Sequence, residues 1–356
     1  MQSYPPNPFC EDAFTRDQAT DYLIRLHLPA SLLASLPSLS LLTVLFTAQN
    51  EQVPKDTTPL HVPPDQWNAA PSTPITLSSA LGKMPVGVEA RERIVGDHAG
   101  AFCFGTNPTF AAFLRTFGFR VSECATRCYL GRRTGEDPTV HQNGWHWGTI
   151  THIVSIVDWE GSDGRYLVDA GWGPWGQTLP IKLEHSVPSR GLNWYEAFEL
   201  RHEELPLSPW MPKPVDTISG WTLYRFITPP DTPIVFPITP ATPGHWSPHH
   251  HFLPISIPSL DLALFSHFSA THELAHFTAF WLVSRQLPGT GGARRSMMFA
   301  EGGGEVDGKR RAKVYTTGGE EGRGKKEGRD IEWVDMDIGT VRNYLGKEFD
   351  FRFAEV

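Results

Sequence analysis

The chain is short of cysteine, of excess positive charge and of long apolar runs. Its 356 residues include four cysteines, Cys10, Cys103, Cys124 and Cys128, too few for a disulfide framework in a chain of this length. Cys124 and Cys128 share one face of an alternating stretch and lack the second ligand pair of a zinc site, so they read as core thiols. Lysine and arginine number 31 against 39 acids, a formal charge of −8, which argues against a general nucleic-acid binder. No basic segment precedes an apolar core at the N-terminus, so the expected address is the cytoplasm. The charge-free stretch Leu28 to Ala48 invites a membrane reading. Pro29, Pro37 and serines 31, 35, 38 and 40 oppose it, and Leu32, Leu33, Leu36 and Leu39 on one face predict a soluble amphipathic helix.

Residues 1 to about 15 are polar and Pro-rich and read as disordered or surface-draped. Two helical patterns follow between Arg16 and Gln52, and residues 58 to 78 read as loop. In Ala99 to Phe119 the aromatic and leucine residues Phe110, Phe113, Leu114 and Phe117 recur at helical spacing before Gly118. From Arg120 the period alternates. Strands are expected over 120–130, 149–157, 165–168, 179–183, 195–200 and 221–227, and strands so short and numerous predict an antiparallel barrel. A Pro-rich linker follows Pro229, with His249, His250 and His251 expected in a solvated loop. An apolar helix and a strand are read between Ser259 and Gln286. Pro288 to Arg329 is Gly-rich and basic and reads as a disordered insertion without a core of its own. Val341 to Phe351 returns to an amphipathic pattern.

Chemistry enters with three residues in order. Cys103 stands at the mouth of the helical segment, where unpaired N–H groups favour a thiolate. His152 follows Thr151 inside an apolar strand, and Asp169 closes the run Tyr166-Leu-Val-Asp169 before Ala-Gly-Trp-Gly173. A thiol, an imidazole and a carboxylate in that order can serve as nucleophile, base and orienting group. Glycines at 171 and 173 permit close backbone approach. Pro108 sets a choice: a helix starting before about residue 104 loses a hydrogen bond there, and one capped at Asn107 leaves Cys103 a turn ahead.

CFGTN at 103–107, Thr-His at 151–152 and YLVDAGWG at 166–173 resemble the arylamine N-acetyltransferases. The resemblance implies an α+β chain of three domains with a cysteine-protease-like Cys-His-Asp arrangement. These are a helical bundle over 1–118, an antiparallel β-barrel over 119–240, and an α/β lid over 241–356 that contains the insertion at about 288–329. It implies ping-pong transfer of an acetyl or other acyl group from acyl-coenzyme A to an arylamine or arylhydrazine. Cys103, His152 and Asp169 would be catalytic, and Gly171 and Gly173 would border the coenzyme A pocket. Trp172, with Phe102 and Phe104, would meet the aromatic acceptor. No metal, nucleic acid, membrane or protein partner is expected. Where the family carries Arg-Gly-Gly before the cysteine, this chain reads Ala99-Gly100-Ala101, and the acid Asp56 is expected to lose its arginine neighbour.

Two other readings compete. His272-Glu-Leu-Ala-His276 fits the H-E-x-x-H zinc motif of metallopeptidases, although the aromatic and β-branched residues after it read as a strand. A binding protein that kept the fold and lost turnover is the other.

Overall fold

The computed structural model describes residues 12–75, 83–133, 137–140, 146–205, 218–229, 232–272, 275–278, 280–300, 305–306, 308–318 and 331–354. The helices are α1 (Arg16–Arg25), α2 (Leu39–Gln52), α3 (Thr58–His61), α4 (Gly87–Val95), α5 (Cys103–Thr116), α6 (Ser259–Thr271) and α7 (Ile338–Phe349). The strands begin with β1 (Lys55–Asp56), β2 (Arg120–Tyr129), β3 (Trp147–Asp158), β4 (Tyr166–Val168) and β5 (Ile181–Lys182). They continue with β6 (Ser189–Arg190), β7 (Ala197–Leu205), β8 (Ile218–Ile227), β9 (His245–Ser256) and β10 (Phe280–Gln286). The last four are β11 (Arg294–Ala300), β12 (Glu305–Val306), β13 (Lys309–Thr317) and β14 (Glu332–Asp335).

The N-terminal helices gather on an apolar cluster of Tyr22, Leu42, Leu45, Phe46, Phe110 and Phe113. Thr15 opens α1 with a reciprocal capping box to Gln18, satisfying two end groups of the helix at once. The amphipathic helix expected across 28–48 is broken. A 3-10 turn covers Ala30–Ala34 and Leu36 is exposed; Ser38 then caps α2, its hydroxyl accepting from the Leu41 N–H. Pro37 cannot continue a helix from the preceding turn, so the leucine stripe is divided between two elements. Among the described residues no helix is long and apolar enough to cross a membrane.

Eight strands form one antiparallel sheet in the order β5-β4-β3-β2-β9-β8-β7-β6. A bridge from His185 to Leu200 brings the β5 end back towards β7, so the sheet is a nearly closed barrel. Its interior holds Cys124, Val154, Ile156, Leu167, Phe198 and Leu223. The segment after Pro229 is packed on the barrel, with Ile234 and Phe236 against Ala197 and Phe226. His249, His250 and His251 are not in a solvated loop. They lie in β9, between β2 and β8, and all three are buried.

The second sheet runs β1-β10-β11-β13-β12, with β14 on β13. Sheet membership crosses the sequence borders: β9 joins the barrel and β1 joins the lid sheet. The expected disordered insertion is in large part this sheet. β11 pairs with β10 from Phe280↔Ala300 to Gln286↔Arg294, and β13 pairs with β11 from Arg294↔Thr317 to Met298↔Lys313. Met297, Phe299, Ala312 and Val314 are buried against Val341, Leu345 and Phe349 of α7. Alternate residues suffice because one face of these strands is covered. The rest of the expected insertion, 301–304, 307 and 319–330, and the residues 1–11 expected to be disordered, lie outside the described residues. Val314→Ala is therefore expected to cost about 2 kcal/mol, two buried methyl groups plus a cavity. Urea unfolding checks this, and a disordered segment would register no change.

Candidate active site

Cys103 is the first residue of α5, with Phe102 at its N-cap position. The helix starts here and not at an Asn107 cap, and it carries Pro108 inside it. Pro108 sits near the start, so the missing N–H removes one bond of the ladder without ending the helix. The segment ahead is pinned by β1: the Asp56 N–H donates to the Ala101 carbonyl at 3.0 Å. Phe102 and Phe104 are fully buried, and Phe102 packs edge-on to both Phe104 and Phe277.

His152 comes from β3, opposite Thr126 of β2. Its Nε2 donates to Asp169 Oδ2 at 2.7 Å, and both side chains are 2% exposed. The Cys103 Sγ contacts the Thr151 carbonyl, one residue before the imidazole, at 3.7 Å. Cys103 thus lies beside the strand and loop that carry the His152–Asp169 pair, where the helix end abuts the barrel. Asn107 joins them. Its Nδ2 donates to Asp169 Oδ1 at 2.9 Å and to the Ile153 carbonyl at 2.7 Å, and its Oδ1 accepts the Ala170 N–H at 2.8 Å. The Gly171 N–H adds a further bond to Asp169 Oδ1 at 3.0 Å.

The glycines of the following loop have a packing reason. A Cβ on Gly171 would stand 2.6 Å from the Cys103 Cα, and Gly173, at φ +95°, would meet the Lys55 chain at 2.7 Å. Neither site has room for a side chain, so the loop closes directly on the nucleophile segment. The Trp172 carbonyl between them accepts from Lys55 Nζ at 2.7 Å. The Trp172 indole lies edge-on to His152 and has His249 on it at 3.9 Å between ring centroids.

Burial would raise the Asp169 carboxyl, but the His152 charge and hydrogen bond, with His250 and Asn107, hold it down to about 2. Burial pushes the Cys103 thiol up to about 12, with Lys55 drawing it the other way. Burial of a charge thus works against the thiolate that the helix end favours. Asp169 engages Nε2 of His152 and not Nδ1.

The lost arginine has a substitute. Arg93 of α4 reaches Asp56 Oδ2 at 2.6 Å, Thr58 Oγ1 at 3.0 Å and the Gly100 carbonyl at 3.0 Å. Asp56 is completely buried and keeps a guanidinium partner, contrary to expectation. Lys55 and Arg93 carried no recognisable local signal, whereas Asn107 stood inside the CFGTN string without a role. The histidine pair 249–250 was visible and misplaced.

A cavity of about 300 Å³ opens beside the dyad, lined among others by Cys128, Thr151, His152, Trp172, Trp175 and Phe280. Among the described residues the metallopeptidase motif has no helix to carry it: α6 ends at Thr271, His272 is its extended C-cap residue, and Glu273 and Leu274 lie outside the described residues. His276 then begins a separate 3-10 turn, so the two histidines do not stand a helical turn apart.

A family model described as N-acetyltransferase matches residues 87–252, the span that carries Arg93, all three candidate residues and the histidine strand. The chain is similar to the arylamine N-acetyltransferases over about half its length. Arylamine N-acetyltransferase of Mycolicibacterium smegmatis is 28% identical over 187 residues, 52% of this chain and 53% of that protein. The Mycobacterium tuberculosis enzyme is 25% identical over 186 residues, 52% of each. The chain thus matches about half the length of these curated relatives. Solved structures resemble it over more of its length. The arylamine N-acetyltransferase of Mycobacterium marinum in complex with CoA gives a TM-score of 0.60 at 20% identity, covering 94% of this chain and 92% of that one. That of Salmonella typhimurium gives 0.61 at 19%, covering 95% and 93%. These likenesses establish the fold of an arylamine N-acetyltransferase: helical bundle, antiparallel barrel and α/β lid.

Proposed function

We propose that this chain transfers an acyl group, acetyl or another, from acyl-coenzyme A to an arylamine or arylhydrazine through an acyl-cysteine. The observation that carries the reading is the hydrogen-bonded His152–Asp169 pair, buried on the barrel where α5 presents Cys103. The coenzyme A held by the Mycobacterium marinum relative supports an acyl-coenzyme A donor.

In the first half-reaction the Cys103 sulfur attacks the thioester carbonyl as its proton passes to His152 Nδ1. Asp169 stabilises the imidazolium that forms, and its depressed pKa keeps it ionised for that role. A helix that starts at Cys103 leaves its first N–H groups out of its own ladder, and these face developing negative charge on the carbonyl oxygen. The proton then leaves with coenzyme A. In the second half-reaction the amine attacks the acyl-cysteine, His152 takes the amine proton, and the thiol is restored. Gly171 and Gly173 hold the loop that borders the donor. Trp172 presents its remaining surface to the acceptor cavity, and Phe102 and Phe104 support it from behind Phe277, which lines the cavity and packs on Phe102.

Incubation with acyl-coenzyme A alone is expected to add one acyl mass to the intact protein, mapped to the Cys103 peptide and discharged by an arylamine. Cys128 lines the cavity next to Thr151, so an adduct there would reassign the nucleophile. No adduct from any acyl donor would leave a binding protein with this fold.

A further inference from the structure

The proposed mechanism makes no use of His250, which is fully buried beside it. His250, His152 and Asp169 each offer a ligand atom, and these atoms lie within 4.8 Å of one another. The imidazoles of His250 and His152 are 5.6 Å apart between centroids. Strand irregularity explains how a histidine run delivers more than one ring to one place. Leu223 of β8 faces His250 and the next residue, Tyr224, faces Pro248, so His249 is an extra residue in β9. Such a bulge turns neighbouring side chains towards the same side. His249 and His250 accordingly both pack on Trp172, at 3.9 and 5.1 Å. His251 turns elsewhere, its Nδ1 meeting the Thr222 hydroxyl at 2.9 Å.

We propose that His152, Asp169 and His250 form an inhibitory site for a borderline divalent ion of the zinc class. Two imidazoles and a carboxylate are a recognised donor set for such ions, which favour nitrogen and one oxygen in tetrahedral geometry. Bonds of about 2.0–2.1 Å put tetrahedral donors about 3.4 Å apart, so the His152–Asp169 pair, 2.7 Å apart, opens slightly while the wider separations, up to 4.8 Å, close. The ion takes the place of the His152 Nε2 proton, which moves to Nδ1 so that the ring binds as a neutral imidazole. Water from the adjoining cavity, which His152 and His249 line, takes the fourth position and provides the entry path. The inhibitory consequence rests on the acyltransferase reading, because an ion on His152 and Asp169 removes the base; the binding itself does not.

The test measures binding to the full chain directly. Equilibrium dialysis is expected to give one zinc per chain, and His250→Gln is expected to weaken it more than about tenfold, since loss even of an outer partner costs about 10–100-fold. His251→Gln, on the other side of the strand, is expected to leave it unchanged. Cobalt substituted into the wild-type chain is expected to show intense tetrahedral visible bands without thiolate-to-metal charge transfer, a readout that does not depend on any variant folding. Zinc retained by His250→Gln, or a thiolate band lost in Cys103→Ala, would overturn the site. Zinc bound as expected without loss of acyl transfer would confirm the site while refuting the acyltransferase role of His152.

Discussion

Asp169→Asn is expected to lower acyl transfer by about 10⁴ while the chain stays folded, the scale set by the equivalent change in serine proteases. The surrounding hydrogen bonds fix which way the new amide points. Oδ1 of Asp169 accepts from Asn107 Nδ2 and from the Gly171 N–H. An asparagine keeps both bonds only with its oxygen there, so its NH₂ faces His152. His152 Nε2 must then accept, which places the ring proton on Nδ1. That is the nitrogen meant to receive the thiol proton, and the base is lost. Steady-state kinetics with a far-UV spectrum of the variant checks this, with loss in kcat as the main effect. A reduction below about tenfold would mean that Asp169 does not set the tautomer. Cys103→Ser, by contrast, is expected to abolish the acyl adduct, because a hydroxyl ionises far less readily than a thiol.

Arg93→Met is expected to destabilise the chain by about 3–5 kcal/mol, the cost of leaving one partner of a buried pair uncompensated. Asp56 is fully buried, and Arg93 is its guanidinium partner at 2.6 Å. The Thr58 N–H, which donates to Asp56 Oδ1 at 2.7 Å, remains in the variant and keeps the cost from rising further. The same substitution removes the bond to the Gly100 carbonyl, three residues before Cys103, so acyl loading is expected to slow as well. Urea denaturation of Arg93→Met, Asp56→Leu and the double variant separates the terms. The double variant is expected to recover much of the loss, because replacing both partners removes the stranded charge. Strict additivity of the two single effects would show that Arg93 and Asp56 do not act as a pair.

What the sequence determines by itself is written in local patterns. The alternating strands, the apolar periodicity of α5 and the Asp169-Ala-Gly-Trp-Gly173 turn are each written in a few consecutive residues, where period and turn chemistry act directly. Those strings were enough to read the barrel; the fold pairs His152 with Asp169 and sets Cys103 beside Thr151 and Gly171. The tertiary structure decided what depends on partners distant in the chain. Met297, Phe299, Ala312 and Val314 are too sparse to mark a core within their own segment. They become one when β10 and α7 cover them. Arg93 could not be matched to Asp56 by spacing, because the two stand 37 positions apart and meet only through the packing of α4 on the β1 segment. The side of β9 that His249 and His250 occupy was equally out of reach. A single bulged residue reverses the alternation from which facing is read, and β8 and β2 set that bulge by pairing.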